Sequence, residues 1–179
     1  MMLGSLLQGC RLDFDILTGS NLRIITVIRK AELPDAPVVA DFNLRLAAET
    51  EDLRLDPDCV QAGVCSVLGD GSKGTYFLAL TETQIAGQAM ITYEWSDWRN
   101  GNIWWLQSVY VRPEFRRQGV FRLLFRHIQE LARQQPEVWG LRLYMHSGNA
   151  RARAAYEQLG MICTHYQVFE MDLSGNGST

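Results

Sequence analysis

Apolar residues recur along this chain with two periods, and the switches between them divide it into elements. In residues 21–30, Leu22, Ile24, Ile25, Val27 and Ile28 form a β-branched run that predicts a first strand. Pro34-Asp35 then opens a helix whose apolar face is Val38, Val39, Phe42, Leu46 and Ala47. Asp56-Pro57 sets a capping side chain before proline at the first helical position, and Cys59, Val60, Val64, Val67 and Leu68 give this second helix its buried side. Gly69-Asp70-Gly71-Ser72 ends it. Three strands follow at 75–80, 85–95 and 103–111, with a bulge expected at Gly87. The short turn Glu82-Thr83-Gln84 and the polar turn 96–102 make them an antiparallel meander.

The run 103–111 is the densest strand signal, and Pro113 cannot donate to a ladder, so pairing should stop there. Phe121, Leu124, Phe125, Ile128, Leu131 and Ala132 then recur at helical spacing, which predicts a helix from about Arg117 or Gln118. Gln134-Gln135-Pro136 breaks it, and 141–145 reads as a strand, so strand, helix and strand form a parallel β-α-β unit. Ser147-Gly148-Asn149 caps a last helix that Leu159-Gly160 closes, and 161–173 reads as a final strand or strand pair. Residues 1–21 show no period and are set apart as an accessory segment, 22–173 as the domain, and 174–179 as a polar tail.

A chain of 179 residues fits one domain able to bury about 70% of its unfolded surface without a metal or disulfide. Its four cysteines show no Cys-x-x-Cys pairing and sit among apolar neighbours, so they read as reduced, mostly buried thiols, with no zinc site. No run of 18 apolar residues or basic leader is present, so the expectation is a cytoplasmic protein with no membrane partner. Charge is unevenly spread. Residues 32–58 carry eight Asp or Glu against two Arg, which reads either as a solvated helical face or, through carboxylates such as Glu49 or Glu51, as an entrance for a cationic amine. Residues 112–133 carry six Arg and two Glu, a net of +4 in a chain whose total is −3.

That basic segment sits where a helix opens behind a strand. Unpaired N–H groups and the positive end of the dipole face an incoming anion there, Gly119 leaves the backbone bare, and Arg116 and Arg117 add charge. Neither the phosphate loop ending in Lys-Ser/Thr nor the Gly-x-Gly-x-x-Gly fingerprint is present. Farther on, Asn149, Ala152 and Tyr156 share one face of the last helix, placing an amide, a small gap and a phenol in a row.

Arg116-x-x-Gly119-x-Phe121 resembles motif A of the GNAT superfamily of N-acetyltransferases, Arg/Gln-x-x-Gly-x-Gly/Ala, with Phe121 in place of the small last residue. Asn149-x-x-Ala152-x-x-x-Tyr156-x-x-x-Gly160-Met161 resembles motif B, with Met161 for the usual aromatic. The resemblance implies an α/β (α+β) fold with a mixed, mostly antiparallel central sheet, a splayed parallel strand pair, helices on both faces and the order β-α-α-β-β-β-α-β-α-β. It implies acetyl-CoA as co-substrate, no metal, and transfer of the acetyl group to the primary amine of a small molecule or peptide. Backbone groups near Val109 and Val111 would hold the pantetheine and polarise the acetyl carbonyl. The N–H groups of Gln118, Gly119, Val120 and Phe121, with Arg116 and Arg117, would hold the pyrophosphate, and Asn149 and Ala152 would meet the pantetheine arm. Asn149 also has a second reading as a helix cap.

An amine of pKa ~10.4 is protonated at neutral pH, and freeing its lone pair costs roughly 4 to 5 kcal/mol, so a base or water relay is expected. Glu94 is the first candidate base, ahead of Asp97 and Gln107, the last only as a water-positioning group. Tyr156 is the candidate acid for the leaving thiolate, since a phenol of pKa ~10 can protonate a thiolate whose conjugate acid has pKa ~8.5. Trp95, Trp98, Trp104 and Trp105 form either a hydrophobic corner or a pocket wall, with Trp98 the expected exposed member. His127, His146 and His165 read as structural, with His146 nearest the proposed cleft. A catalytically silent acyl-CoA-binding regulatory module is the alternative. Nucleic acid is not an expected partner, given the acidic total charge, and a homodimer is left open as an assembly.

Overall fold

The computed structural model describes the strands β1 (Asp15–Leu17) and β2 (Arg23–Ile25) and residues 27–173. Of the accessory segment it describes only 15–17, and the tail 174–179 lies outside the described residues. The chain divides into two compact units, Met1–Tyr144 and Met145–Thr179.

In the first unit, β3 (Val27–Lys30), β4 (Thr75–Leu80), β5 (Ile85–Ser96), β6 (Gly101–Val111) and β7 (Val138–Arg142) form a five-stranded sheet in that spatial order. The first three pairings are antiparallel and β6–β7 is parallel. β1 and β2 pair antiparallel as a separate two-stranded sheet. The expected first strand is therefore two, β2 and β3, only the second of which joins the large sheet.

Helices α1 (Ala36–Glu51) and α2 (Pro57–Gly69) cover one sheet face, where Val39, Ala40 and Val64 close on Tyr76, Leu78 and Met90. Asp56 caps α2 by accepting from the Asp58 N–H at 2.9 Å, the device its sequence announced. Helix α3 (Val120–Arg133) covers the opposite face, since Phe77, the neighbour of Tyr76, meets His127 edge-on with ring centroids 5.3 Å apart, and successive strand residues point to opposite sides. Leu78 and Ile128 are both fully buried, each adding about 1.5 to 3 kcal/mol of burial.

Three expectations need correction. β7 begins at Val138 rather than 141, because the parallel pairing Asn102↔Val138 opens the ladder there. α3 begins at Val120, later than expected, because Arg117 (φ 65°) and Gly119 (φ 82°) are both left-handed and hold the helix back. Residues 161–173, expected as a strand, carry neither strand nor helix, and Ile162, Tyr166, Phe169, Met171 and Leu173 are exposed. Their apolar and aromatic content suits a pleated surface, but a strand exists only as a pairing, and no partner ladder reaches them among the described residues. Cys59 and Cys163 are likewise exposed rather than buried, Cys65 is half-buried, and all three are free thiols. Cys10 lies outside the described residues.

In the second unit α4 (Ala150–Gln158) is capped at its start by Asn149 and closed by Gly160 at φ 87°.

Candidate active site

β6 pairs with β7 only from Asn102 to Trp105; past that point its β7-facing edge meets no strand among the described residues, while β6 itself runs on to Val111. On its other edge the ladder to β5 slips. Gln88 faces Tyr110 and Met90 faces Gln107, so Ser108 and Val109 together oppose Ala89 as a bulge. Ser108 sits at φ 47°, a left-handed conformation costly for a residue with a side chain. Gln88, fully buried, holds the bulge from below: its Nε2 donates to the Ser108 carbonyl at 3.3 Å and to Asn43 Oδ1 at 2.7 Å, and Asn43 Nδ2 donates to the Tyr76 hydroxyl at 2.9 Å. Gly87, the expected bulge, instead permits close approach, since a Cβ there would lie 2.6 Å from the Tyr110 carbonyl oxygen; the irregularity with β4 falls beside it at Ala79/Leu80.

After β6 the chain passes through a turn of 3-10 helix, Pro113–Phe115, into the two left-handed residues that precede α3. The left-handed Gly119 turns the first N–H groups of α3 outward beyond the helix end, as an anion site requires. The neighbouring arginines differ. Arg117 is exposed. Arg116 is committed to the fold: its Nε donates to the Val111 carbonyl at 2.8 Å, its Nη2 pairs with Glu49 Oε2 at 2.5 Å, and its guanidinium lies 5.6 Å from the Tyr110 ring centroid. Tyr110 donates to the other Glu49 oxygen at 2.9 Å and packs on Phe42 of α1. Burial acts to raise the Glu49 carboxyl, but the bonds from Arg116 and Tyr110 outweigh it and leave the group below the usual carboxylate range; burial and the Glu49 bond push the Tyr110 phenol up. Glu49 is thus the anchor of α1 on β6. Phe121 packs along α3 against Phe125, centroids 6.1 Å apart.

Gln118 keeps an unspent polar atom at this turn, as a site for a polar ligand would. Its Nε2 donates to the Glu114 carbonyl at 2.7 Å, and its Oε1 is buried with no partner among the described residues, an acceptor awaiting a donor. The Oε1 of Gln88 beneath the bulge is in the same condition.

Glu94 is placed on the same sheet face as Trp105 and both its oxygens accept hydrogen bonds. It accepts from Trp105 Nε1 at 2.5 Å and from Arg142 Nη1 at 2.9 and 3.2 Å, while the Arg142 guanidinium lies 5.8 Å from the Trp105 ring centroid. Between this group and the bulge, Gln107 Nε2 donates to Thr92 Oγ1 at 2.8 Å, which leaves the Gln107 Oε1 available as an acceptor beside Ser108. Asp97 is used locally, accepting from the Trp98 N–H at 2.9 Å. The tryptophans part company: Trp104 is buried toward α3, Trp105 half-buried on the other face, and Trp95 and Trp98 stand in solvent, Trp98 the most exposed. His127 is held by Phe77, and burial lowers its pKa.

In the second unit, Asn149 Oδ1 accepts from the Ala152 N–H at 3.0 Å, so the amide oxygen serves as the helix cap. Burial raises the Tyr156 phenol above its ordinary value. His146 Nδ1 accepts from the Gly148 N–H at 3.2 Å.

Sequence reasoning missed Gln88, Asn43 and Arg142. The first two form part of a polar chain inside an apolar face, and the only trace of it was a lone amide at each position. Arg142 lay inside a stretch read only for its strand periodicity. Among the described residues no helix is long and apolar enough to cross a membrane, and no group of three His, Cys, Asp or Glu is placed to hold a metal.

The sequence model of the acetyltransferase (GNAT) family matches residues 41–161. A thialysine N-ε-acetyltransferase of Caenorhabditis elegans is 36% identical over 59 residues, 33% of this chain and 36% of the relative, so the match spans about a third of either protein. The crystal structure of a possible acetyltransferase from Clostridium difficile 630 superposes with a TM-score of 0.78 at 42% identity, covering 83% of this chain and 97% of that one. A predicted acetyltransferase from Clostridium acetobutylicum, solved with acetyl-CoA, shares the fold at a TM-score of 0.68 and 16% identity, over 86% and 100% of the two chains. With motif A at the start of α3, motif B on α4 and a family match over 41–161, the chain belongs to the acetyltransferase (GNAT) family.

Proposed function

We propose that this chain transfers the acetyl group of acetyl-CoA to the primary amine of a small molecule or peptide. The observation that carries the reading is the sequence of features along one strand: a β6 edge that past Trp105 meets no strand among the described residues, a bulge at Ser108-Val109, then the left-handed turn that bares the N-terminus of α3. Acetyl-CoA, when bound, supplies an activated acetyl thioester. The α3 N-terminus, exposed Arg117 and the orphan Oε1 of Gln118 bind and orient its polar parts, and backbone groups at Val109 and Val111 run beside its pantetheine. Arg116 acts indirectly, by holding Val111 and Glu49, and Phe121 supports the helix from its flank. Asn149 keeps its cap, and Ala152 is the small residue that gives the pantetheine arm room.

The amine must lose a proton as its nitrogen bonds to the acetyl carbon and the carbon–sulfur bond breaks. Glu94, the candidate base, is already ion-paired with Arg142 and bonded by Trp105, whereas Gln107 Oε1 carries no bond among the described residues and is the readier acceptor for an amine N–H or a relaying water, with bulk solvent taking the proton. Tyr156 is assigned the proton that the leaving thiolate takes up, and a phenol raised by burial arrives at neutral pH carrying it. The nematode relative's name specifies the ε-amine of a lysine analogue, which puts amine-bearing amino acids in the acceptor panel. The occupied Glu94 is also what the silent acyl-CoA-binding reading would expect. Thiol release from acetyl-CoA with amino acids, polyamines, aminoglycosides and peptides separates the two. Turnover with one acceptor class is the expected result, and tight CoA binding with no turnover for any acceptor favours the silent module.

A further inference from the structure

The arginine at the fork of the parallel strand pair has an open edge. Arg142 ends β7, in register with Trp105, the last β6 residue to be paired on that side. Its position is pinned twice, by Glu94 through Nη1 and by the Trp105 ring beneath its guanidinium, and Trp105 is itself fixed by its indole N–H on Glu94. Among the described residues Nε and Nη2 of Arg142 make no hydrogen bond, and its side chain is 38% exposed. A guanidinium clamped on one side with a planar pair of donors left over is a preorganised receptor for a carboxylate.

From this anchor a line of polar side chains runs along one face of the sheet toward the bulge. Glu94 and Thr92 alternate on β5, Trp105 and Gln107 on β6, and Gln88 lies beneath Ser108. Trp105 and Ser108 are three residues apart, roughly 10 Å along a strand. A guanidinium–carboxylate contact of about 2.8 Å plus an extended stem of about five or six bonds, each advancing ~1.2 Å, covers a distance of that order.

We infer that Arg142 is a specificity-determining residue that binds the carboxylate of the acceptor, and that the acceptor is an amino acid whose side-chain amine, rather than its α-amine, reaches the bulge. An α-amine lies one carbon from its carboxylate and stops short of Ser108; the terminal amine of a lysine-length side chain arrives there. A polyamine offers no anion to Arg142 and meets a cation instead. This inference rests on the proposed transfer at the bulge.

The test pairs each acid with its amide, L-lysine with L-lysinamide and L-ornithine with L-ornithinamide, so that charge changes and size does not. Acetyl transfer and, separately, acceptor binding by calorimetry are measured for the wild type, Arg142→Gln and Arg142→Lys. The wild type should prefer the acids by roughly 10- to 100-fold in kcat/KM, as a charged hydrogen bond predicts, with the difference mainly in KM. Arg142→Gln should bring the ratio to about one and Arg142→Lys should restore part of it. Arg142→Gln combined with Glu94→Gln keeps an amide pair in place of the ion pair, and should give the same levelled ratio if the single variant folds poorly. Equal transfer to acid and amide by the wild type, or a ratio that survives Arg142→Gln, overturns the anchor and leaves the transferase reading standing. Acid-selective binding without transfer to any acceptor does the reverse, and neither binding nor transfer overturns both.

Discussion

Two glutamate–arginine pairs occupy the same sheet face and are almost equally exposed, Glu49–Arg116 at 38% and 35% and Glu94–Arg142 at 38% each. Their roles diverge because of what else each arginine touches. Arg116 spends Nε on the Val111 carbonyl, Nη2 on Glu49 and its flat face on Tyr110, which closes a clasp between α1 and the end of β6. Arg142 commits a single nitrogen to Glu94 and keeps two outward. Exposure and pairing alone thus do not separate a structural ion pair from the proposed recognition group; which donors are unspent does, since Arg116 uses both arms of its Nε/Nη2 fork and Arg142 uses neither.

The two pairs should differ most at Glu94. If its pair serves position and recognition, Glu94→Gln lowers kcat by less than about 10-fold, short of the ~100-fold or more that loss of a general base costs. Tyr156→Phe, by contrast, should lower kcat about 100-fold with acetyl-CoA affinity kept, the usual worth of a general acid. Because burial raises the Tyr156 phenol, and an acid acts only while protonated, the alkaline fall in kcat should lie above the ordinary phenol range of ~10 and vanish in the phenylalanine variant. Steady-state kinetics over pH settle both, and a Glu94 loss as deep as that of Tyr156 would restore the carboxylate as base.

The pairs also show how far a sequence can be read. Local devices were legible: the Asp56-Pro57 start of α2, the Gly160 closure of α4, the apolar stripe of α3 and the strands β4 to β6 all follow from neighbours within four residues. The turn at Gly119 before α3 was legible for the same reason. What escaped was set by partners far off in sequence. Glu49 meets Arg116 across 67 residues and Gln88 meets Asn43 across 45, so neither the pairing of Arg116 with α1 nor the support of the bulge by an inconspicuous glutamine could be read from neighbours in the chain. The bulge itself carries no glycine to announce it. The exposed 161–173 segment repeats the lesson, since its composition was that of a strand and only pairing could make it one.

Stability should divide the pairs in the second place. Removing Arg116 takes away a carbonyl bond, an ion pair and a ring contact, together about 2 kcal/mol after discounting for solvent. Arg142→Ala removes an exposed pair and one ring contact, about 1 kcal/mol or less. Urea melts of Arg116→Ala and Arg142→Ala should therefore fall in that order. Equal midpoints would mean the clasp adds nothing beyond an ordinary surface pair.

The smallest effect tests whether the clasp is a three-body unit. Glu49 is lowered from its ordinary 4.5 because the Arg116 and Tyr110 bonds overcome burial, so the fold favours its ionised form. Its contribution is present above that ordinary value and is lost as pH falls through the lowered one. Tyr110 is raised from 10.0 by burial and by Glu49, so the fold favours its neutral form, whose contribution is present below that value and lost as pH rises through the raised one. The clasp should be complete between these limits. There Glu49→Gln should cost about 1 kcal/mol, allowing for the partial exposure of the pair. As pH falls below the ordinary 4.5 and through the lowered value the deficit should shrink, because the wild-type carboxyl is being protonated as well. Urea melts of wild type and variant across pH 2 to 8 measure it, and a deficit that stays constant into acid would mean that Glu49 holds Arg116 and Tyr110 by shape rather than by charge.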